Sequence, residues 1–453
     1  MILRVINHPY EFDMKNLCIT FFPHEKIRLE GEEDPVVVTT RRETDGSFFV
    51  SAKVYDVYRE TTAKPEPADE EHLVLSVTLY RLLSGILGFA PPWGVLYGVR
   101  PAKLMHRLCA QMGDDAAVAH FQTAFLTQKS KAELAHEVML HENRSIARSG
   151  PKSFSLYVSI PFCPTRCAYC SFVSHSIEKT HKLMTPYVDL LLRELEETSK
   201  YAKELGLELA TVYFGGGTPT TLSAQDLGRI FSTIEQNFDL SHLMEYTVEA
   251  GRSDTVTRER LEVIRAAGVQ RISINPQSFN DKVLEAIGRR HTAQQTLDAF
   301  ALARDCGFDH INMDFIAGLP EDDLPSFQRS IQTALDLQAE SITVHTLALK
   351  TSAYMVTREQ TFDLKDRLTV SNMVDYAGQT LHGAGYYPYY MYRQSKSLGN
   401  LENVGWCKPG YDCLYNVYMM DETHTVLAVG AGAVTKLRGQ NSGMIERIYN
   451  YKY

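Results

Sequence analysis

The sequence has no excess of positive charge, no long apolar run and no signal-peptide pattern. Its 453 residues include 46 Lys and Arg against 55 Asp and Glu, a formal net charge of −9. Such a chain has no global positive field to attract nucleic acid or anionic lipid. No apolar run approaches the roughly 20 residues of a membrane span, and the opening MILRVINHPYEF lacks the basic and apolar regions of a signal peptide. We therefore expect a cytoplasmic protein with no nucleic-acid partner and no membrane insertion.

The sequence also lacks the cysteine density of a disulfide framework. It has eight cysteines, and five of them are scattered along the chain, a distribution typical of buried or incidental thiols. The other three lie within eight positions, which indicates cluster or metal ligation in a reducing compartment. The five scattered residues are Cys18, Cys109, Cys306, Cys407 and Cys413.

The character of the sequence changes twice along the chain. Short β-rich runs such as Val36 to Thr40 and Ser47 to Val54 precede an apolar helical stretch, His72 to Leu87, and Ser149-Gly150-Pro151 is a clear breaker. Beyond about residue 352 the pattern is irregular and aromatic, and it becomes β-like around Val426 to Leu437. We predict an α+β N-terminal domain (1–150), a central domain (151–351) and an α+β C-terminal domain (352–453).

The central region alternates short β-branched runs with longer helical patterns, which is typical of βα units in a parallel sheet. Six strands with five intervening helices are fewer than the eight that close a full barrel. The fold class is therefore α/β, a partial (β/α)6 barrel with room for a large substrate. Among its helices, Ser223 is a predicted N-cap and one helix is predicted to run from Pro186 to Leu205. The predicted strands are Phe154–Ile160, Ala210–Phe214, Tyr246–Ala250, Arg271–Asn275, Ile311–Ile316 and Ser341–His345.

The three clustered cysteines, Cys163, Cys167 and Cys170, are spaced Cys-x3-Cys-x2-Cys. Three thiolates on a [4Fe-4S] cluster leave one iron open to an exogenous ligand. A structural zinc site prefers four ligands in two separated pairs, and no second CxxC or HxxxH is near in the sequence. The loop follows the first predicted strand, at the end where barrels build active sites. The spacing favours an iron–sulfur cluster over zinc or coincidence.

The segment YVSIPFCPTRCAYCSF (157–172) resembles the cluster loop of radical S-adenosylmethionine (SAM) enzymes. Within that superfamily it is similar to the group that contains oxygen-independent coproporphyrinogen III dehydrogenase (HemN), HemZ-type proteins and the heme chaperone HemW. The resemblance implies a radical SAM barrel, a [4Fe-4S] cluster and SAM as cofactors. The amino and carboxylate groups of SAM would then chelate the open iron, and reductive cleavage would release a 5′-deoxyadenosyl radical.

Polar and glycine-rich segments follow the predicted strands. Three glycines at 215–217 let the backbone approach a ligand closely, and an acidic residue inside an apolar strand is costly unless it has a partner or a function. The Gly-Gly-Gly-Thr-Pro segment resembles the family segment that meets the SAM methionyl group, and the other positions match SAM-contacting residues of the family. The candidate SAM-binding residues are Tyr157, Tyr169, Gly216, Gly217, Thr218, Glu249, Gln277, Arg289, Asp314 and Leu347.

Two further segments, 93–107 and 398–416, resemble HemZ-type proteins rather than their shorter relatives. The first supplies Arg100, Lys103 and Arg107, and the last two share a helix face. The resemblance implies a porphyrinogen or heme-like substrate, whose propionates these cations would clamp, or else the three form a solvated basic helix face. It also implies reduced flavodoxin or ferredoxin as electron donor. For coproporphyrinogen III, the implied reaction converts propionates to vinyl groups by oxidative decarboxylation.

Two positions differ from the coproporphyrinogen dehydrogenase pattern. That group has a His just before the Ile-Pro-Phe segment and a further Cys two residues after the third ligand, where this sequence has Ser159 and Phe172. Phe172 resembles the pattern of the heme chaperone at this position. The segment 400–406, however, lacks the His of the chaperone's heme-binding motif. Two alternative functions therefore stay open: a HemW-like heme chaperone and an anaerobic radical SAM methyltransferase that opens the heme ring.

Overall fold

The computed structural model describes residues 1–23, 25–98, 100–172, 174–348, 364–394, 397–439 and 444–452. These residues form two compact units. The first comprises Met1–Met139 with the described parts of 360–371 and 392–402, and the second comprises the described parts of 140–359, 372–391 and 403–453. The three-domain division stays a prediction, and its boundary at 351/352 lies outside the described residues.

The first unit contains a four-stranded sheet in the order β1-β2-β3-β4. β1 and β2 are parallel and the other neighbours are antiparallel. Apolar side chains of α1, β2, β3 and α2 form its core, and the β-rich runs and the apolar helix predicted here are confirmed. The elements up to residue 146 are β1 (Ile2–Ile6), α1 (Glu11–Phe21), β2 (Val36–Arg42), β3 (Phe48–Val54), β4 (Val57–Ala63), α2 (Glu71–Leu87), α3 (Pro101–Met112), α4 (Asp114–Thr123) and α5 (Lys129–Ile146).

The second unit is built on an alternation of strands and helices. All six predicted strands are present as β5, β8, β9, β10, β11 and β12, side by side and parallel. The elements up to residue 346 are β5 (Ser153–Ile160), β6 (Phe162–Cys163), β7 (His175–Ser176), α6 (Ile177–Glu204), β8 (Glu208–Gly216), α7 (Ala224–Asn237), β9 (Glu245–Glu249), α8 (Arg258–Ala266), β10 (Arg271–Ser273), α9 (Asp281–Ala286), α10 (Ala293–Asp305), β11 (His310–Ala317), α11 (Leu324–Asp336) and β12 (Ser341–Thr346).

Strands from the last hundred residues extend both edges of this sheet. On one edge β14 pairs antiparallel with β12, and β13 lies beyond it. On the other edge β15 pairs parallel with β5 and continues into β16 and β17. The β-like pattern predicted around 426–437 therefore contributes a seventh parallel strand. The remaining elements are α12 (Leu364–Gly383), β13 (Tyr387–Arg393), β14 (Glu402–Cys407), α13 (Leu414–Asp421), β15 (Thr425–Val429), β16 (Val434–Arg438) and β17 (Ile445–Tyr449).

A local signal explains the start of α7 but not that of α6. The predicted N-cap Ser223 is confirmed, since its side chain accepts a hydrogen bond from the Asp226 amide at the start of α7. The predicted start of α6 at Pro186 is wrong: the helix begins at Ile177 and includes the proline. A proline inside a helix removes one backbone hydrogen bond, a cost that the burial of the apolar face around Leu191 and Leu195 offsets.

Candidate functional site

The three clustered cysteines lie just beyond the carboxyl end of β5. Cys163 ends the short strand β6, and the Cys170 amide donates to the Cys167 carbonyl at 3.1 Å. The Ala168 amide donates to the Ile287 carbonyl at 2.9 Å and ties the loop to the end of α9. The Cys167 side chain is buried, and the other two cysteines are partly exposed. The loop thus holds its three thiols close to the surface without a disulfide.

Two thiols of this loop, those of Cys163 and Cys170, are protonated at neutral pH when no cation is bound. Burial raises the pKa of Cys163, and it raises the pKa of Cys170 to about 11, with the neighbouring cysteines adding to both shifts. Bound iron would deprotonate such thiols, because a coordinating thiol gives up its proton to the metal. Three thiols and no carboxylate ligand are the donor set of an iron–sulfur cluster with one open iron.

The glycine segment after β8 packs directly against the cysteine loop. The Gly217 amide donates to the Ile160 carbonyl at 2.7 Å, and the Thr218 hydroxyl lies 3.5 Å from the Cys163 sulfur. A Cβ on Gly217 would lie 2.5 Å from the Phe162 carbonyl oxygen and 3.0 Å from the Cys163 sulfur. Only glycine permits this approach, so the segment and the loop form one surface.

Two buried arginines contact the loop. Arg252, after β9, donates to the Thr165 hydroxyl at 3.2 Å and reaches the Cys167 sulfur at 3.8 Å, while Asp254 holds its other nitrogens. Arg289 donates to the Asn275 carbonyl at 2.5 Å, and its other terminal nitrogen lies 3.3 Å from the Tyr169 hydroxyl. These guanidinium groups place positive charge beside thiols that would carry negative charge in a cluster.

Two carboxylates at the strand ends, Glu249 and Asp314, lie close enough to interact electrostatically. The Tyr213 hydroxyl donates to Glu249 at 2.6 Å. Burial, the Tyr213 hydrogen bond and the Asp314 charge act together on Glu249, and the net effect raises its pKa to about 7. Burial alone would raise the pKa of Asp314, but hydrogen bonding and charge from His345 hold it below its usual value. The His345 imidazole lies 3.7 Å from the Asp314 carboxylate. The pair favours a cationic ligand.

The other predicted SAM-binding residues differ in their contacts and in their backbone conformation. Tyr157 on β5 is stacked with Tyr213 and Tyr415, with ring centroids 6.2 and 6.0 Å apart. Gln277 adopts a left-handed backbone with φ of 67°, and its amide donates to the Asp314 carbonyl at 2.9 Å. Leu347 is buried after β12. The left-handed Gln277 is a backbone that non-glycine residues seldom adopt, which is typical of functional sites.

A polar cavity of about 780 Å³ opens beside the loop. Its lining includes Thr165 and Arg166 of the cysteine loop, and Arg289 and His291 from the segment after α9. Both ring nitrogens of His291 are buried and have no hydrogen-bond partner among the described residues. Burial together with the nearby arginines lowers the pKa of His291 to about 3. The His291 imidazole is therefore neutral at physiological pH.

Sequence reasoning missed four residues of this arrangement: Arg252, Tyr213, Asn275 and His345. Tyr213, Asn275 and His345 lie inside predicted strands, and Arg252 comes two residues after the predicted strand Tyr246–Ala250. The signal was present, since Arg252 follows a strand end within the same loop as Glu249. Its contact with Cys167 depends on two loops meeting, which spacing along the chain does not encode.

Comparison with known proteins places the chain in a family. Residues 157–334 match the Radical SAM superfamily. The "Oxygen-independent coproporphyrinogen-III oxidase-like protein HemZ" of Bacillus subtilis is 34% identical over 454 residues, covering 97% of this chain and 91% of that protein. The chain belongs to the HemZ family of radical SAM proteins. Members of the superfamily use a [4Fe-4S] cluster and SAM, so the predicted cofactors are confirmed.

Two further similarities extend this family assignment. The "Heme chaperone HemW" of Bacillus subtilis is 31% identical to the chain over 297 residues, covering 64% of this chain and 74% of that protein. The solved structure of Escherichia coli coproporphyrinogen III oxidase (HemN), described as a radical SAM enzyme, has a TM-score of 0.52 and 22% identity, covering 70% of each chain. This likeness concerns the fold and confirms the predicted fold class.

The two positions that differ from the dehydrogenase pattern have unlike surroundings. Ser159 is buried at the end of β5, and its hydroxyl donates to the Ala431 carbonyl at 3.0 Å. A Cβ on Gly216 would lie 2.9 Å from that hydroxyl, so little space surrounds the position. The Phe172 side chain is 67% exposed. Phe172 therefore places an apolar ring largely on the surface, at the end of the cysteine loop.

The candidate substrate residues lie in the first unit, on and just before α3. Lys103 and Arg107 are exposed on one face of the helix, and Arg100 is its N-cap residue. Their role in substrate binding stays a prediction. Among the described residues, no helix is both long enough and apolar enough to cross a bilayer.

Proposed function

We propose that this HemZ-family protein is a radical SAM enzyme of porphyrin metabolism that decarboxylates the propionates of coproporphyrinogen III to vinyl groups. The observation that carries the proposal is similarity along nearly the whole chain, including its N-terminal segment, to a coproporphyrinogen-III oxidase-like protein. The cysteine loop, the glycine segment and the carboxylates all lie at the carboxyl ends of the parallel strands. This arrangement supports the proposal, because barrels place catalysis at that end of their strands.

In this proposal Cys163, Cys167 and Cys170 hold the [4Fe-4S] cluster. When bound, the cluster and SAM supply the radical that removes a hydrogen atom from the substrate. Arg252 donates toward the Cys167 sulfur, and hydrogen bonds to cluster sulfurs tune reduction potential. The burial of Cys167 and Arg252 keeps water from this side of the site.

SAM binding falls to the strand-end groups. The backbone of Gly216 and Gly217 leaves room for the methionyl part, since neither residue has a Cβ. Glu249 and Asp314 stabilise the positive groups of SAM, and Arg289 fixes the Tyr169 hydroxyl beside the cysteine loop. Thr218, Gln277, Tyr157 and Leu347 complete the proposed set.

The substrate carries propionates, so it needs fixed cations. The proposed propionate ligands are Arg100, Lys103 and Arg107. Guanidinium groups bind carboxylates in bidentate geometry, and the lysine ammonium supplies a further positive charge. Reduced flavodoxin or ferredoxin is the proposed electron donor.

The test is an anaerobic assay of the cluster-loaded protein with SAM, reductant and coproporphyrinogen III, analysed by mass spectrometry. The expected products are 5′-deoxyadenosine and protoporphyrinogen. Cys167→Ala should abolish both, while Cys306→Ala, at a partly exposed thiol on the far end of α10, should retain both. SAM cleavage with untouched porphyrinogen would disprove the substrate, and SAM cleavage by Cys167→Ala would disprove the cluster assignment.

Similarity to relatives named heme chaperones favours a second candidate, a heme-binding protein. Titration of the cluster-loaded protein with hemin distinguishes it from the enzyme. Stoichiometric binding with transfer to an acceptor, and no porphyrinogen turnover, would support the chaperone. Turnover without stoichiometric hemin binding would exclude it.

A further inference from the structure

Three side chains of the first unit bring metal-binding atoms together. They are Cys109 on α3, Asp114 on α4 and His136 on α5, and the sulfur, a carboxylate oxygen and a ring nitrogen all lie within 4.8 Å of one another. The sequence interpretation of Cys109 as an incidental thiol does not account for this arrangement. The three residues are 5 and 22 positions apart in sequence, so the packing of three helices creates the cluster.

A glycine turn makes the first contact possible. Gly113 links α3 to α4 with φ of 84°, and its amide donates to the Cys109 carbonyl at 2.9 Å. Glycine adopts this positive φ without steric cost, and Asp114, the first residue of α4, follows it directly. The Cys109 thiol and the Asp114 carboxylate then form a hydrogen bond.

The third side chain comes from a separate helix. The His136 ring nitrogen Nε2 lies 3.0 Å from Asp114 Oδ2. The Asp114 side chain is 55% exposed and the His136 side chain is 23% exposed. A metal ion can therefore reach these three side chains from solvent without any opening of the fold. The carboxylate lies between a thiol and an imidazole and contacts both.

We propose that Cys109, Asp114 and His136 bind one zinc ion. Thiolate, imidazole and carboxylate are the three protein ligands that zinc accepts, with Zn–S near 2.3 Å and Zn–N or Zn–O near 2.0–2.2 Å. Tetrahedral geometry at these lengths puts neighbouring donor atoms about 3.3 to 3.6 Å apart, so small side-chain rotations suffice. Hard cations such as Mg²⁺ and Ca²⁺ prefer all-oxygen sites.

Three protein ligands leave the fourth zinc position to water. The site shares no ligand with the cysteine loop, whose three thiols belong to residues 163–170 of the second unit. Zinc here would join α3, α4 and α5, and so would stabilise the first unit independently of the iron–sulfur cluster.

The experiment is zinc titration of the full-length, anaerobically reconstituted protein, whose cluster cysteines are already occupied by iron. Metal analysis after desalting should find one zinc per chain beside the iron. Zinc X-ray absorption should show one sulfur neighbour near 2.3 Å, with nitrogen and oxygen neighbours near 2.0–2.2 Å. If no zinc is retained, the three side chains are only a hydrogen-bonded group, and the proposal is overturned. Two or more sulfur neighbours would place the zinc on the cluster cysteines and overturn it as well.

Variants locate the ion. Cys109→Ser, Asp114→Asn and His136→Gln should each weaken zinc binding at least about tenfold, since even outer-shell partners cost 10–100-fold. Iron content and circular dichroism should stay unchanged and exclude misfolding. The matched control Cys306→Ser removes another partly exposed thiol and should bind zinc like the wild type. Equal loss in the control would overturn the assignment, as would undiminished binding in His136→Gln.

Discussion

The Glu249 carboxyl holds its proton more tightly in the folded chain than in the unfolded chain. Its pKa is about 7 in the folded chain, against an ordinary value of 4.5. Burial is the main cause and the Asp314 charge adds to it. Folding therefore favours the protonated form, and the carboxyl must ionise at a cost as the pH rises through 7. Replacing it by a neutral isostere, Glu249→Gln, removes that cost.

The sign and size of the effect follow from proton linkage. Between pH 4.5 and 7 the folded chain binds more protons at this group than the unfolded chain, so its contribution to stability falls as pH rises. The difference between the two pKa values corresponds to about 3 kcal/mol, at about 1.4 kcal/mol for each tenfold change. Part of the Glu249 side chain reaches solvent, so screening reduces the expected effect to about 1–3 kcal/mol.

The assay is urea unfolding of the cluster-free full chain at pH 5 and pH 8. The free energy of unfolding of Glu249→Gln, relative to that of the wild type, should be larger at pH 8 than at pH 5 by about 1–3 kcal/mol, because only the wild type loses stability over this range. Glu259→Gln, at an exposed position in the first turn of α8, is the control and should show no such change. A difference for Glu249→Gln that is independent of pH, or that reverses, would refute the reasoning.

Two further substitutions test the packing. Gly217→Ala puts a Cβ 2.5 Å from the Phe162 carbonyl oxygen, so it should destabilise the loop by about 1–3 kcal/mol and lower iron content after reconstitution; Gly383→Ala, which meets no atom within 4 Å, should do neither. Lys131→Met removes the ammonium group that contacts the buried Glu402 carboxylate at 2.6 Å, and it should cost about 3–5 kcal/mol in urea unfolding. An iron content equal to wild type in Gly217→Ala, or a cost below about 1 kcal/mol for Lys131→Met, would contradict these expectations.

Local patterns predicted much of this protein. The six parallel strands carry their own signal, because a strand buried on both faces is a continuous apolar run wherever it lies in the sheet. The cap at Ser223 is equally local. The predicted start of α6 is wrong because proline is a local signal for a helix start. The helix extends to residues before the proline because packing of its apolar face stabilises it.

The position of β15 shows a different limit. Its β-like pattern was recognised, but nothing in residues 425–429 indicates which strand they pair with. That choice depends on a free edge of β5, about 270 residues earlier. Pairing of distant segments is decided by the folded sheet rather than by periodicity, so sequence patterns predict the strand and not its neighbour.

The sequence by itself determined the cofactor chemistry of this protein. Three thiols within eight positions, after a strand, are close in any fold because the chain between them is short. Only the tertiary structure decided which groups lie next to one another. It places Arg252 beside Cys167 and Gly217 against Cys163, and it brings Glu249 close to Asp314. Those pairs join segments 54 to 85 residues apart, and the parallel order of the strands brings their carboxyl ends together.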